Sequence, residues 1–211
     1  MKSKFSQVRI TLVSYLPPVV SLLTYGNCHS YQDWPDYVTE LGLGAEQIPE
    51  LIRMATDREL NCANSNCAEV WAPVHAWRTL GQLRAETAIE PLLTLFDRLD
   101  DGDWIGSEMP QVYQLIGPVS IPTLSNYLAD PSHQIFSRIT AIDCLGQIGI
   151  QYPQVRSECI NIIMRQLEFY AENQPLLNTC LVNALNELKA TSSLKLQVVS
   201  RQKRYLNNIT R

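Results

Sequence analysis

The chain is poor in charge, histidine and long apolar runs, and each shortage excludes something. Only 18% of its 211 residues are charged, against 45% hydrophobic, which describes a globular chain able to bury a substantial core as one or two ordinary domains. No apolar stretch reaches the roughly 20 residues of a membrane span. Asn-Gly turns are missing and no long segment alternates apolar and polar residues, so strands lack their main signals and an all-helical protein is expected. Walker loops, nucleophile elbows and His-Glu-x-x-His motifs are absent, which removes the commonest signatures of hydrolases and nucleotide-driven enzymes. Six cysteines without dense regular spacing do not make a secreted disulfide scaffold.

Acidic residues are missing in one place. After Glu187 none occurs, whereas Lys189, Lys195, Arg201, Lys203, Arg204 and Arg211 give a tail of +6, and Lys2, Lys4 and Arg9 add +3 at the start. Positions 10–188 hold all 21 acids but only eight arginines and no lysine, for a net charge of −13. An acidic body argues against broad nucleic-acid binding and favours a partner protein with a basic surface. The tail reads as a solvated terminus. The opening "MKSKFSQVRITLVSYLPPVVSLL" imitates a secretory leader, but Pro17-Pro18 interrupts its apolar run and no clear small-x-small cleavage site follows, so a cytoplasmic location is expected.

What is present is repetition. "ELGLGAEQIPELI", "TLGQLRAETAIEPLL", "QLIGPVSIPTL" and "CLGQIGIQYPQVRSECINII" share one phrase: an apolar helix end, glycine, a short break, and a second apolar helix. A fifth copy runs through "CLVNALNELKATSSLKLQVV" with Asn186 in the glycine position. Gly42, Gly81, Gly117 and Gly146 are expected to supply left-handed helix caps. Pro49, Pro91 and Pro122 fall in the first turn of the second helix of a repeat, where a missing N–H costs little. Pro73 fits the same logic if Asn66 and Glu69 form a capping box. The layout predicts an N-terminal helical cap over 1–32 with a helix near 7–24. A repeat solenoid follows over 33–188, with pairs at about 33–58, 67–100, 104–130 and 133–171 and a last pair from about 175 to 207. A capping helix and basic tail over 189–211 complete one continuous domain. "ELNCANSNC" at 59–67 reads as an exposed loop, and "DRLDDGDW" at 97–104 as an acidic, solvated turn.

The phrases "HAWRTLGQLRAETAIEPLL" and "SRITAIDCLGQIG" resemble HEAT-like repeats, particularly the short type of phycobilisome-lyase-like proteins. The resemblance covers about 33–189. It implies an α-solenoid, and a function among scaffolds, bilin lyases and a metal-dependent hydroxylase. The hydroxylases hold iron with repeated His-Glu dipeptides, and this chain has none; His29, His75 and His133 stand apart. A lyase would hold an open-chain tetrapyrrole with arginines, carboxylates and aromatics, here Arg78, Trp71, Trp104 and Tyr113.

Within the helix expected over Val70 to Leu83, Val70, Pro73, Val74, Ala76, Trp77, Leu80 and Leu83 fill one apolar arc. Trp71, His75, Arg78 and Gln82 form a stripe on the other side, at i, i+4, i+7 and i+11. An aromatic beside directed donors is what recognition surfaces use, so the stripe is the first candidate docking site, removable without unfolding. Asp103-Trp104 with Glu108 is the second. Cys62, Cys67 and His75 read C-x4-C-x7-H, with Cys28-His29 able to join. A structural zinc site needs four ligands at tighter spacing, so no metal is expected and Cys62 and Cys67 are its only candidates. Cys144, Cys159 and Cys180 read as small core residues. The chain is therefore expected to be a non-catalytic protein-binding scaffold without cofactor. A bilin-binding, lyase-like or chaperone-like factor is the alternative.

Overall fold

A computed structural model describes residues 15–64, 66–99 and 103–189, with Asp103 known by its backbone alone. The basic ends at 1–9 and 190–211, together with Asp100 and Asp101, lie outside the described residues. So do the first eight positions of the expected 7–24 helix and the second half of the last pair; the rest of that helix is a 3₁₀ turn, Val19–Thr24, behind Pro17-Pro18. All regular structure among the described residues is helical. Ten α-helices follow one another: α1 Tyr37–Leu41, α2 Ile48–Ala55, α3 Arg58–Asn61, α4 Ala72–Gln82, α5 Ile89–Arg98, α6 Asp103–Ile116, α7 Ile121–Ala129, α8 Ile135–Gln151, α9 Arg156–Leu167 and α10 Pro175–Glu187. Short 3₁₀ turns join them, among them Val19–Thr24 and Cys28–Ser30 in the N-terminal segment.

The helix starts follow from the sequence. Asp36 accepts a hydrogen bond from the Thr39 amide and opens α1, as a short carboxylate at an N-cap does. Pro49, Pro73 and Pro122 occupy the first two positions of α2, α4 and α7; Pro91 is the third residue of α5. Asn66 caps nothing: α4 is led in by a 3₁₀ turn, Ala68–Trp71, behind Cys67. The 59–67 loop is shorter than expected, because Asp57 accepts from the Glu59 and Leu60 amides and nucleates α3, burying Leu60. Pro110 lies inside α6, where it removes one intrahelical donor.

The helix ends divide the glycines. Gly42 (φ 63°, ψ 35°) is the left-handed cap expected; Gly117 (φ 100°, ψ −164°) takes a positive φ outside the left-handed helical region and leads into the Pro118–Ser120 turn. Gly81 and Gly146 do neither; α4 and α8 run through them. The left-handed residue after α4 is Arg84 (φ 51°), and after α10 it is Lys189 rather than Asn186. The break expected at Gly146 comes six residues later, at Tyr152-Pro153.

The most extensive contacts run α6–α8, α4–α6 and α2–α4, followed by α7–α8, α8–α10 and α8–α9, so α4, α6, α8 and α10 follow one another in contact, with α7 and α9 flanking α8. Side chains stitch successive helices through backbone carbonyls. Trp77 Nε1 donates to Ala55 O at 3.0 Å, the Tyr113 hydroxyl to Ile89 O at 2.8 Å and Arg138 Nε to Leu128 O at 2.9 Å. In α5, Ile89, Leu92, Leu93 and Phe96 recur at helical spacing and are buried, each contributing about 1.5–3 kcal/mol by leaving water. α4 is different: every residue from Ala72 to Gly81 is buried. A helix buried all round has neighbours on every side. Here they are α2, α6 and the N-terminal segment.

Candidate functional site

The second face of α4 is where the structure departs most from the sequence reading. The stripe Trp71, His75, Arg78 and Gln82 does not face solvent; residues 25–37 of the same chain lie across it. The His75 Nε2 is 2.8 Å from Gly26 O, and Nδ1 is 2.6 Å from the Tyr37 hydroxyl. A carbonyl only accepts, so Nε2 carries the proton and Nδ1 accepts from Tyr37. Arg78 reaches Cys28 O at 3.4 Å through NH1, and its guanidinium lies 4.9 Å from the centre of the Trp34 ring. Gln82 donates to Pro35 O at 2.7 Å. Polar groups placed for a foreign ligand therefore hold the N-terminal segment.

Arg78 also binds Glu108 on α6 with two parallel bonds, Nε to Oε2 at 2.7 Å and NH2 to Oε1 at 2.6 Å. Arg78 is 4% exposed and Glu108 5%. Burial works against the Arg78 charge, but Glu108 and the Tyr37 hydroxyl together outweigh it and hold the guanidinium above its ordinary pKa. The fork geometry suits a dry site.

Burial pushes the His75 imidazole down to about 4, against a partial offset from Gly26. The unfolded chain takes up a proton at this residue near pH 6.5, whereas the folded one does so only near 4. Stability therefore falls as pH drops through that window, by on the order of 3 kcal/mol. Asp143 pulls the other way, its carboxyl raised to about 6 by desolvation and Glu187. The readout is thus a difference: chemical denaturation of wild type and His75→Gln between pH 7 and pH 4 should show the steeper loss in wild type.

Above this buried layer lies an aromatic group. Trp71 and Trp104 meet edge to face with centroids 4.5 Å apart, and the His29 ring sits 4.7 Å from Trp104 and 5.8 Å from Trp71. His29 is exposed; Trp34, Trp71 and Trp104 are half-buried. The structure thus brings Trp71, Arg78, Trp104 and Glu108 together, with His75 and Gln82 beneath the same segment. Tyr113 is apart, fully buried and bonded to Ile89 O. Sequence reasoning missed His29 as a member of the ring group and Trp34 as the ring against Arg78. The available signal was the density of rings in "YGNCHSYQDWPDY", which no amphipathic helix would explain.

The metal candidates do not assemble. Cys62 is exposed and Cys67 partly so, both His75 nitrogens are engaged, and no group of three or more His, Cys, Asp or Glu that could hold an ion occurs among the described residues. Nor is Asp97 a solvated turn residue. It belongs to α5, sits 2.7 Å from His133 Nδ1 and accepts from the Gln134 amide at 3.2 Å, while Tyr127 stacks on His133 at 3.7 Å. Burial pushes the Asp97 carboxyl up, but bonds from Tyr127, Gln134, His133 and Ser137 outweigh it and hold the carboxyl below its ordinary value. This pair fastens the α7–α8 turn to α5. Among the described residues no helix is long and apolar enough to cross a membrane. Set against known protein families, curated proteins and solved structures, the chain matches none of them.

Proposed function

We propose that the chain is a non-catalytic docking protein, an α-solenoid of HEAT-like helix pairs that binds a partner protein through the aromatic group His29, Trp71 and Trp104. The row α4–α6–α8–α10, each of its first three helices followed by a shorter one, supports the solenoid reading. The observation that carries the docking reading is the edge-to-face Trp71–Trp104 pair with an exposed histidine against it, seated on a buried ion pair. Tryptophan is costly to leave in water and is the residue most enriched at binding hot spots. Rings fixed by a rigid layer beneath them lose little entropy on binding. Asp33 and Asp36 nearby are exposed and, with the acidic body, favour a partner of basic surface.

Trp104→Ala tests this. It should weaken capture of the partner from the native cells by about thirtyfold, equivalent to roughly 2 kcal/mol at a hot spot, while circular dichroism stays that of wild type. Equal capture by both proteins would remove the patch as the docking site. In the same samples, a bilin mixed with the protein should keep its visible absorbance unchanged. A shift and intensification would instead favour the tetrapyrrole reading.

A further inference from the structure

Four of the eight arginines in the acidic body have hydrogen-bonded guanidinium groups: Arg53, Arg78, Arg138 and Arg156. Of the others, Arg58 and Arg98 line one hollow of about 460 Å³ together with Asn61, Cys62 and Leu99. Arg58 comes from α3 and Arg98 from the last turn of α5, and both are exposed. Neither side chain has a hydrogen-bond or ion-pair partner among the described residues. Of the acids adjoining them in sequence, Glu59 is exposed, and the other two are committed elsewhere. Asp57 accepts from the Tyr15 hydroxyl and from the Glu59 and Leu60 amides. Asp97 is taken by His133 and Gln134.

Two guanidinium groups facing one hollow repel each other unless an anion sits between them, and the guanidinium fork matches the oxygens of phosphate and carboxylate. The body carries a net charge of −13, but among the described residues no acid lines this hollow, so an anion there meets two cations at close range. We propose that the hollow between α3 and the end of α5 is an anion-binding site for a small phosphorylated or polycarboxylate ligand, held by Arg58 and Arg98. It is separate from the aromatic docking patch.

Cys62 in the wall provides a local readout. With the whole protein, inorganic pyrophosphate should slow modification of Cys62 by the negatively charged dithiobis(nitrobenzoate) reagent, at constant ionic strength. The slowing should reach about fivefold or more at several times Kd, while Cys67, outside the hollow, reacts unchanged. Arg58→Gln/Arg98→Gln should abolish that protection and slow the anionic reagent, but leave neutral iodoacetamide reacting at Cys62 as in wild type. Peptide mass spectrometry separates the two cysteines. The proposal is overturned if pyrophosphate protects neither cysteine, protects both equally, or protects Cys62 as well in the double variant as in wild type.

Discussion

Glu108→Ala should lower the stability of the protein by about 3–5 kcal/mol, the cost of leaving one member of a buried ion pair alone. For a chain of this size that is a fall in melting temperature of roughly 10 °C. Two bonds to Arg78 vanish at once, and the guanidinium keeps Cys28 O, the Tyr37 hydroxyl and the face of Trp34 in a site too dry to solvate its full charge. The charge itself is the problem, so removing it as well should help. Arg78→Met/Glu108→Leu replaces the pair by apolar side chains of similar reach and should recover more than half of the loss. Denaturant titration of the two variants checks both statements. A Glu108→Ala protein as stable as wild type would mean that water reaches Arg78. Arg78 therefore acts as a clasp for the N-terminal segment and not as a removable anchor.

The second large effect is expected at Gly81. A Cβ there would lie 3.3 Å from both Cα and O of Val112 and 3.4 Å from Leu115 Cδ1. The first two are backbone atoms of α6 and cannot rotate away, so Gly81→Val must push α4 and α6 apart. Overpacking costs about 1–3 kcal/mol, and a branched side chain at a backbone contact belongs at the upper end of that range. Gly146 in α8 is the contrast, since a Cβ there meets nothing within 4 Å. Gly146→Ala should therefore stabilise by about 0.5–1 kcal/mol, through the lower entropy of the unfolded chain. Thermal unfolding of the two variants should move in opposite directions; a fall in both would mean that α8 is also closely approached at Gly146.

These glycines show how far the sequence could be read. Helix content was legible because apolar residues recur at helical spacing without alternation, and the starts of α2, α4 and α7 because proline is tolerated there. Gly42 was legible as a left-handed cap, and Gly117 as a break that needs glycine's positive φ. Gly81 and Gly146 share their local phrase, yet one serves a helix crossing and the other merely fits inside a helix. Only the packing of α6, some 30 residues away, separates them, and Arg84 takes the left-handed position where glycine was expected. The stripe on α4 failed for a related reason. A helical wheel can show that Trp71, His75, Arg78 and Gln82 share a face, but not what covers it. Their partners Gly26, Cys28, Pro35 and Tyr37 lie 38 to 50 residues back in the chain, in a segment whose 3₁₀ turns carry no periodic signal. Asp97 and His133 were likewise read as separate because 36 residues divide them.

The most direct test of the docking reading places a photo-crosslinking amino acid at His29, and separately at Glu172, an exposed residue beyond α9. Irradiation in the native cells should join one discrete partner to the protein through position 29 and not through position 172, and Trp104→Ala should abolish the product. A crosslink at neither position, or the same product from both, would contradict the assignment of the aromatic patch as the docking surface.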